Sequence, residues 1–116
     1  MNLRLGRSER DGVTVLTAHG EIDVATGPQL RQEIVEIAST GSGPLVIDLE
    51  GVDFLDSTGL GVLVSGLKRF RTLGTDVLLV TTQARILKVF EITGLTQVFS
   101  MHASVDAAVA AAERLP

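Results

Sequence analysis

The 116 residues include no cysteine and three prolines, and 45% of them are hydrophobic, the size and makeup of one globular domain over residues 1–116 with a core of its own. Disulfides and thiolate metal sites are excluded, and two histidines, His19 and His102, are too few for a histidine-rich metal cluster. Ten basic against fourteen acidic residues give a net charge of −4, the wrong sign for a protein that binds by neutralising nucleic-acid phosphates, so no direct nucleic-acid partner is expected.

The N-terminus, Met1-Asn2-Leu3-Arg4-Leu5-Gly6-Arg7, runs into charged residues without a long apolar stretch, so no secretory signal is expected and the expected compartment is the cytoplasm. Residues 2–8 alternate weakly. Asp11-Gly12 is a dipeptide favoured in tight hairpin turns, and Val13-Thr14-Val15-Leu16-Thr17-Ala18 follows it, predicting two antiparallel strands. After Gly20-Glu21-Ile22-Asp23 the period changes. Leu30, Ile34, Ile37 and Ala38 fall on one helical face, with Thr26 or Asp23 available as cap and Pro28 suited to the first turn.

Gly41-Ser42-Gly43-Pro44 breaks this helix, and Leu45-Val46-Ile47-Asp48-Leu49 reads as a strand of a parallel sheet buried on both faces. Glu50–Ser57 is expected to be the loop after its carboxyl end. Leu60, Leu63, Val64, Leu67 and Phe70 then recur at helical spacing, with Lys68, Arg69 and Arg71 where cations suit the helix dipole and Gly74 as terminator, so a helix begins close to Ser57. A strand over Asp76–Val80, a helix from about Gln83 to Thr93 stopped by Gly94, a short strand around Val98–Ser100 and a helix from Ser104 complete the pattern. The fold class is α/β: a mixed, mainly parallel sheet of about five strands with about four helices. The apolar runs are far shorter than the roughly 20 residues that cross a bilayer, so no membrane partner is expected.

In an open parallel sheet, functional groups gather beyond the carboxyl ends of strands, which singles out the segment ending in Asp56-Ser57-Thr58-Gly59. Asp56 is a natural N-cap, and the first amides of the helix, around Ser57, Thr58 and Gly59, lack intrahelical partners, so this end favours negative charge. A phosphate on Ser57 would gain about 0.3–1 kcal/mol from the dipole at an exposed site. Capping chemistry alone explains the same residues, and spacing does not separate the two readings. Gly59, Gly61 and Gly66 each cost about 1 kcal/mol against alanine inside a helix, so they answer a functional need for close backbone approach or bare surface, or else only let the helix pack tightly on the sheet, and physical grounds leave both readings open.

Catalytic alternatives fail on pattern. An aspartic-protease turn has one hydroxyl residue between Asp and Gly, here there are two, and no second turn supplies the partner carboxylate. Gly61-Val62-Leu63-Val64-Ser65-Gly66 is no nucleophile elbow, neither histidine carries a triad signature, and both read as surface or strand residues. No glycine-rich phosphate-binding fingerprint is present. No catalytic residue, metal site or cofactor is expected.

Two segments nonetheless resemble a known family. Gly20-Glu21-Ile22-Asp23 resembles the Gly-Glu-Leu/Ile-Asp segment of STAS domains, and Val46 through Leu63, with Asp53-Phe54-Leu55-Asp56-Ser57-Thr58-Gly59-Leu60-Gly61 at its centre, resembles the central strand, phosphorylation loop and following helix of stand-alone bacterial anti-sigma factor antagonists. The resemblance implies that Ser57 is the phosphoacceptor, with Thr58 the alternative. It implies that an anti-sigma factor serine kinase of histidine-kinase-like ATPase fold is both partner and modifying enzyme, that phosphorylation ends binding, and that a metal-dependent serine phosphatase resets the switch. ATP then belongs to the kinase. Asp23, Asp56, Thr58, Gly59, Leu60 and Gly61 are implied to shape the loop or meet the partner. A nucleotide-binding module using the same helix start, or a scaffold subunit of a stress-signalling assembly, stands as the alternative.

Overall fold

The computed structural model describes residues 2–41 and 43–115. Ser42 lies outside them, so the predicted Gly41-Ser42-Gly43-Pro44 break is seen at its other three positions. Strands β1 (Leu3–Arg10) and β2 (Val13–Ile22) form the expected hairpin. Its two-residue turn puts both Asp11 (φ 53°) and Gly12 (φ 80°) in the left-handed region, which matches the twist of the flanking strands and is why Asp-Gly is favoured there.

Helix α1 (Gly27–Ser39), β3 (Leu45–Leu55), α2 (Ser57–Thr72), β4 (Val77–Val80), α3 (Ala84–Ile92), β5 (Ser100–His102) and α4 (Val105–Glu113) follow. The five strands lie in the order β1-β2-β3-β4-β5, antiparallel between β1 and β2 and parallel thereafter. Alternate residues of each central strand enter two separate cores. Leu16, Leu45, Ile47, Val77 and Leu79 pack with Leu30, Leu63, Phe70, Ile86 and Phe90 of α1, α2 and α3. Val13, Val15, Val46, Leu78 and Val80 pack beneath Ala108, Val109 and Ala112 of α4. Burial on both faces is the reason the middle strands read as nearly unbroken apolar runs.

Two sequence expectations need correction. The strand expected to stop at Leu49 continues to Leu55, so most of Glu50–Ser57 is not a loop. Its second half pairs with the end of β2, His19 with Gly51 and Ile22 with Leu55, across two irregularities in register that hide the alternation from the sequence. The last strand is Ser100–His102 rather than Val98–Ser100. Leu95–Gln97 forms a 3-10 turn first, and Phe99 is drawn into the core against Phe90, ring centroids 5.8 Å apart and edge to face.

Candidate functional site

The extension of β3 moves the candidate site to the end of the strand itself. A single residue, Asp56, separates Leu55 from the first residue of α2. Asp56 has extended backbone (φ −105°, ψ −172°), and its Oδ1 accepts from the Gly59 amide at 3.1 Å. This is the side-chain cap expected from the sequence. The Asp56 amide donates to the Ile22 carbonyl at 3.3 Å, joining the end of β2 to the start of α2.

Ser57 is therefore the first residue of a 16-residue helix. It is exposed, and its hydroxyl has no hydrogen-bond partner among the described residues. The amides of Ser57 and Thr58 likewise have none there, as the geometry of a helix start dictates once the cap has taken the amide of the third residue. Thr58 is exposed as well, but its methyl side is engaged. A β-carbon at Gly27 would lie 3.4 Å from Thr58 Cγ2 and 3.5 Å from Val62 Cγ2, so the start of α1 packs on the first turns of α2.

The glycines divide by role. A β-carbon at Gly59 would stand 2.5 Å from Leu55 Cδ1, 2.8 Å from Ile22 Cγ2 and 3.1 Å from the Ile22 carbonyl oxygen, so its absence lets α2 sit directly on the strand ends. At Gly61 nothing lies within 4 Å, and the position is bare, exposed surface. Leu60, grouped with the site from the sequence, is buried in the main core and supports the helix from beneath.

Asp23 lies in the neighbouring loop between β2 and α1 and is only 7% exposed. Its Oδ1 accepts from the Ala25 and Thr26 amides at 2.9 and 3.0 Å, and the Thr26 hydroxyl lies 3.2 Å away. That hydroxyl accepts from the Asp23 amide at 3.0 Å and donates to the Glu21 carbonyl at 2.8 Å. The Thr26 amide, opposed by burial and aided by the Thr26 hydroxyl and Ala25 amide, holds the Asp23 carboxyl below the usual carboxylate range. Thr26 occupies the N-cap position of α1 without a side-chain cap bond, and the Asp23 carboxylate takes loop amides that precede the helix, while the Asp23 backbone carbonyl accepts from the first helical amide, Gly27, at 2.7 Å. Its observed work is to shape the loop.

Two apolar residues on these segments were missed by sequence reasoning. Val24, beside Asp23, is 73% exposed, and Phe54, two residues before Asp56, is 39% exposed. A valine in a polar turn that belongs to no strand or helix period was the available signal for the first. Phe54 was hidden by the assumption that β3 had already ended. Both histidines are strand residues, His19 in β2 and His102 in β5. His102 Nε2 lies 2.7 Å from the Ser100 hydroxyl, and burial, with Arg114 nearby, lowers its pKa from the ordinary imidazole value. No group of three or more His, Cys, Asp or Glu among the described residues could hold a metal ion, and no described helix is long and apolar enough to cross a membrane.

The chain that carries this helix start is similar to known proteins along almost its whole length. The STAS domain model matches residues 7–108. An anti-sigma-B factor antagonist of Bacillus subtilis is 33% identical over 109 residues, covering 94% of this chain and 99% of the relative. The chain belongs to the STAS-domain family of anti-sigma factor antagonists. The crystal structure of an anti-sigma factor antagonist from Mycobacterium paratuberculosis superposes with a TM-score of 0.90 at 30% identity, covering 97% of this chain and 95% of that one. The Bacillus cell fate determinant SpoIIAA in its phosphorylated form shares the fold of this STAS domain at a TM-score of 0.70 and 21% identity, with 93% and 96% coverage. Proteins of this family are regulatory binding proteins rather than enzymes.

Proposed function

We propose that this STAS domain is a phosphorylation-controlled antagonist: unmodified, it binds an anti-sigma factor kinase and frees the sigma factor, and phosphate on Ser57 ends that binding. The observation that carries the reading is the exposed Ser57 hydroxyl, unpartnered among the described residues, on the first residue of an Asp56-capped helix. In the transfer step Ser57 Oγ attacks the γ-phosphorus of ATP held by the kinase. The bond from that phosphorus to the bridging oxygen of ADP breaks, and the serine proton passes to a base on the kinase. Thr58 is the poorer acceptor because one side of it rests against Gly27.

The switch acts on the interface rather than on the fold. Phosphate adds about −1.5 to −2 charges and three acceptor oxygens, and at the start of α2 the helix dipole favours it by about 0.3–1 kcal/mol. Across an interface the balance reverses. Exposed Phe54, three residues before Ser57, and exposed Val24, in the β2–α1 loop that the Asp56 amide ties to the start of α2 through Ile22, supply apolar contact area, so a partner seated on both segments dehydrates whatever Ser57 carries. A net loss of about 4 kcal/mol lowers affinity roughly a thousandfold. Asp23 and Asp56 hold the two segments in place, Gly61 leaves room for the partner's approach, and a metal-dependent serine phosphatase restores the hydroxyl.

The reading is tested by isothermal titration of the cognate anti-sigma factor with wild-type, Ser57→Ala and Ser57→Asp proteins. Binding by wild type and Ser57→Ala, with loss of at least about a hundredfold for Ser57→Asp, is expected. Equal affinity of all three contradicts it.

A further inference from the structure

Away from the serine, the outer faces of α1 and α2 enclose a groove of about 510 Å³ near the carboxyl ends of both helices. Val35, Ala38 and Leu73 line it, and two of these are unusually open for apolar side chains, Val35 at 37% and Leu73 at 54% exposure. Lys68 and Arg69 stand on its α2 side, and no acidic residue among the described ones lines it. Both cations are exposed and neither forms an ion pair among the described residues, whereas Arg7, Arg10 and Arg71 are paired with Glu33, Asp106 and Asp76. In a chain of net charge −4, this groove combines apolar lining with unneutralised positive charge.

The groove is continuous with the face that carries the serine. Successive residues of a helix turn by about 100°, which places Ser57, Gly61, Ser65, Lys68 and Thr72 on one stripe of α2, with Arg69 at its margin. Ser65 also receives a hydrogen bond from Arg31 of α1 at 3.3 Å, between the two ends of that stripe. The rise from Ser57 to Lys68 is about 16 Å, roughly two Debye lengths at physiological ionic strength. A phosphate on Ser57 is therefore largely screened from the groove.

We propose that the α1–α2 groove is a second docking site, one that receives an acidic amphipathic helix of a protein partner and does so whether or not Ser57 is phosphorylated. A cleft between two helices takes a third helix by its apolar stripe, and carboxylates on the margins of that stripe meet Lys68 and Arg69. A flat anionic membrane fits less well, because the apolar residues line a concavity and the molecule as a whole is acidic. Such a site would keep a partner tethered while the Ser57 contact is made and broken, raising the local concentration for rebinding or dephosphorylation.

The test uses the isotopically labelled full chain, with no kinase present, so that it stands or falls separately from the reading of Ser57. The probe is a blocked peptide of about 16 residues with leucine at helical spacing and glutamate elsewhere, long enough to span the groove. Amide shifts are expected at Val35, Ala38, Lys68, Arg69 and Leu73. Affinity should fall at least about tenfold in Lys68→Glu/Arg69→Glu, and should fall with added salt for the unaltered protein, which needs no variant. Ser57→Glu should leave it within about twofold. Shifts elsewhere, no shifts at millimolar peptide, equal binding of a lysine-for-glutamate peptide, or binding to phosphatidylglycerol vesicles in place of the peptide would each overturn the proposal.

Discussion

Replacing Gly59 and Gly61 by alanine, one at a time, gives opposite expected outcomes from the same chemical change. Both lie within α2, where alanine gains about 1 kcal/mol over glycine from backbone entropy and helix propensity. At Gly61 nothing lies within 4 Å of the new methyl, so that gain appears nearly whole and Gly61→Ala is stabilised by about 0.5–1 kcal/mol. At Gly59 the methyl meets Leu55 Cδ1 at 2.5 Å and Ile22 Cγ2 at 2.8 Å. Those side chains can shift, but the Ile22 carbonyl at 3.1 Å cannot easily do so while it accepts the Asp56 amide. Overpacking of this kind costs about 1–3 kcal/mol, which exceeds the propensity gain and leaves Gly59→Ala destabilised by about 1 kcal/mol. The two variants then differ by about 2 kcal/mol. With an unfolding entropy near 2.1 cal/mol/K per residue, that is a separation of about 8 °C in Tm for a chain of this length. Differential scanning calorimetry and urea titration measure it. A Gly59→Ala protein as stable as Gly61→Ala would refute the packing of α2 described above. The same pair bears on function, since Gly61→Ala should fold better than wild type yet bind the anti-sigma factor more weakly if the bare surface at that position meets the partner.

The remaining expectations concern the cap, the loop and the acid limb of stability. Asp56→Ala removes the bond to the Gly59 amide and should cost about 1 kcal/mol, read as a shift in urea midpoint, whereas Asp56→Asn or Asp56→Ser should retain most of it. Asp23 has its carboxyl held below the usual range, chiefly by the Thr26 amide. The stability it contributes is therefore full above the unfolded carboxylate pKa of about 3.9 and is lost as pH falls through the lower folded value. Urea midpoints followed from about pH 6 down to pH 3 should accordingly drop less steeply in Asp23→Asn than in wild type; identical slopes would remove Asp23 from the acid response. Val24→Ser, changing a side chain that is 73% exposed, should leave the melting temperature within about 2 °C while weakening the anti-sigma factor complex about tenfold or more, measured by calorimetry of each.

Much of the fold was legible because its local signals agree with its packing. Asp11-Gly12 announced the hairpin, the spacing of Leu30, Ile34 and Ile37 announced α1, and the run at Leu45–Leu49 announced a strand covered on both faces. The misplaced boundaries share a cause. The end of β3 pairs with β2 across irregularities in register, so its inward residues, Val52 and Leu55, are not separated by an even number of positions and the period of two fails. β5 has three residues and is preceded by a 3-10 turn, too short a piece for alternation to identify.

At the site, the cap was legible because aspartate before a helical run has a fixed geometric use. The burial of Leu60 follows from its place on the inner face of α2. What could not be read was the Asp23 network, since it joins a carboxylate, a hydroxyl and a carbonyl that only the closed loop brings together. The exposure of Phe54 was equally out of reach, because it depends on where β3 ends, whereas Val24 stood outside every strand and helix period and could have been singled out.

Phosphosite mapping tests the central claim most directly. Wild-type, Ser57→Ala and Thr58→Val proteins are incubated with the cognate anti-sigma factor kinase and ATP, and the modified residue is located by tandem mass spectrometry. Phosphate is expected on Ser57 in wild type and in Thr58→Val, with no modification of Ser57→Ala. Phosphate on Thr58 in the wild-type protein, or undiminished modification of Ser57→Ala, would contradict it.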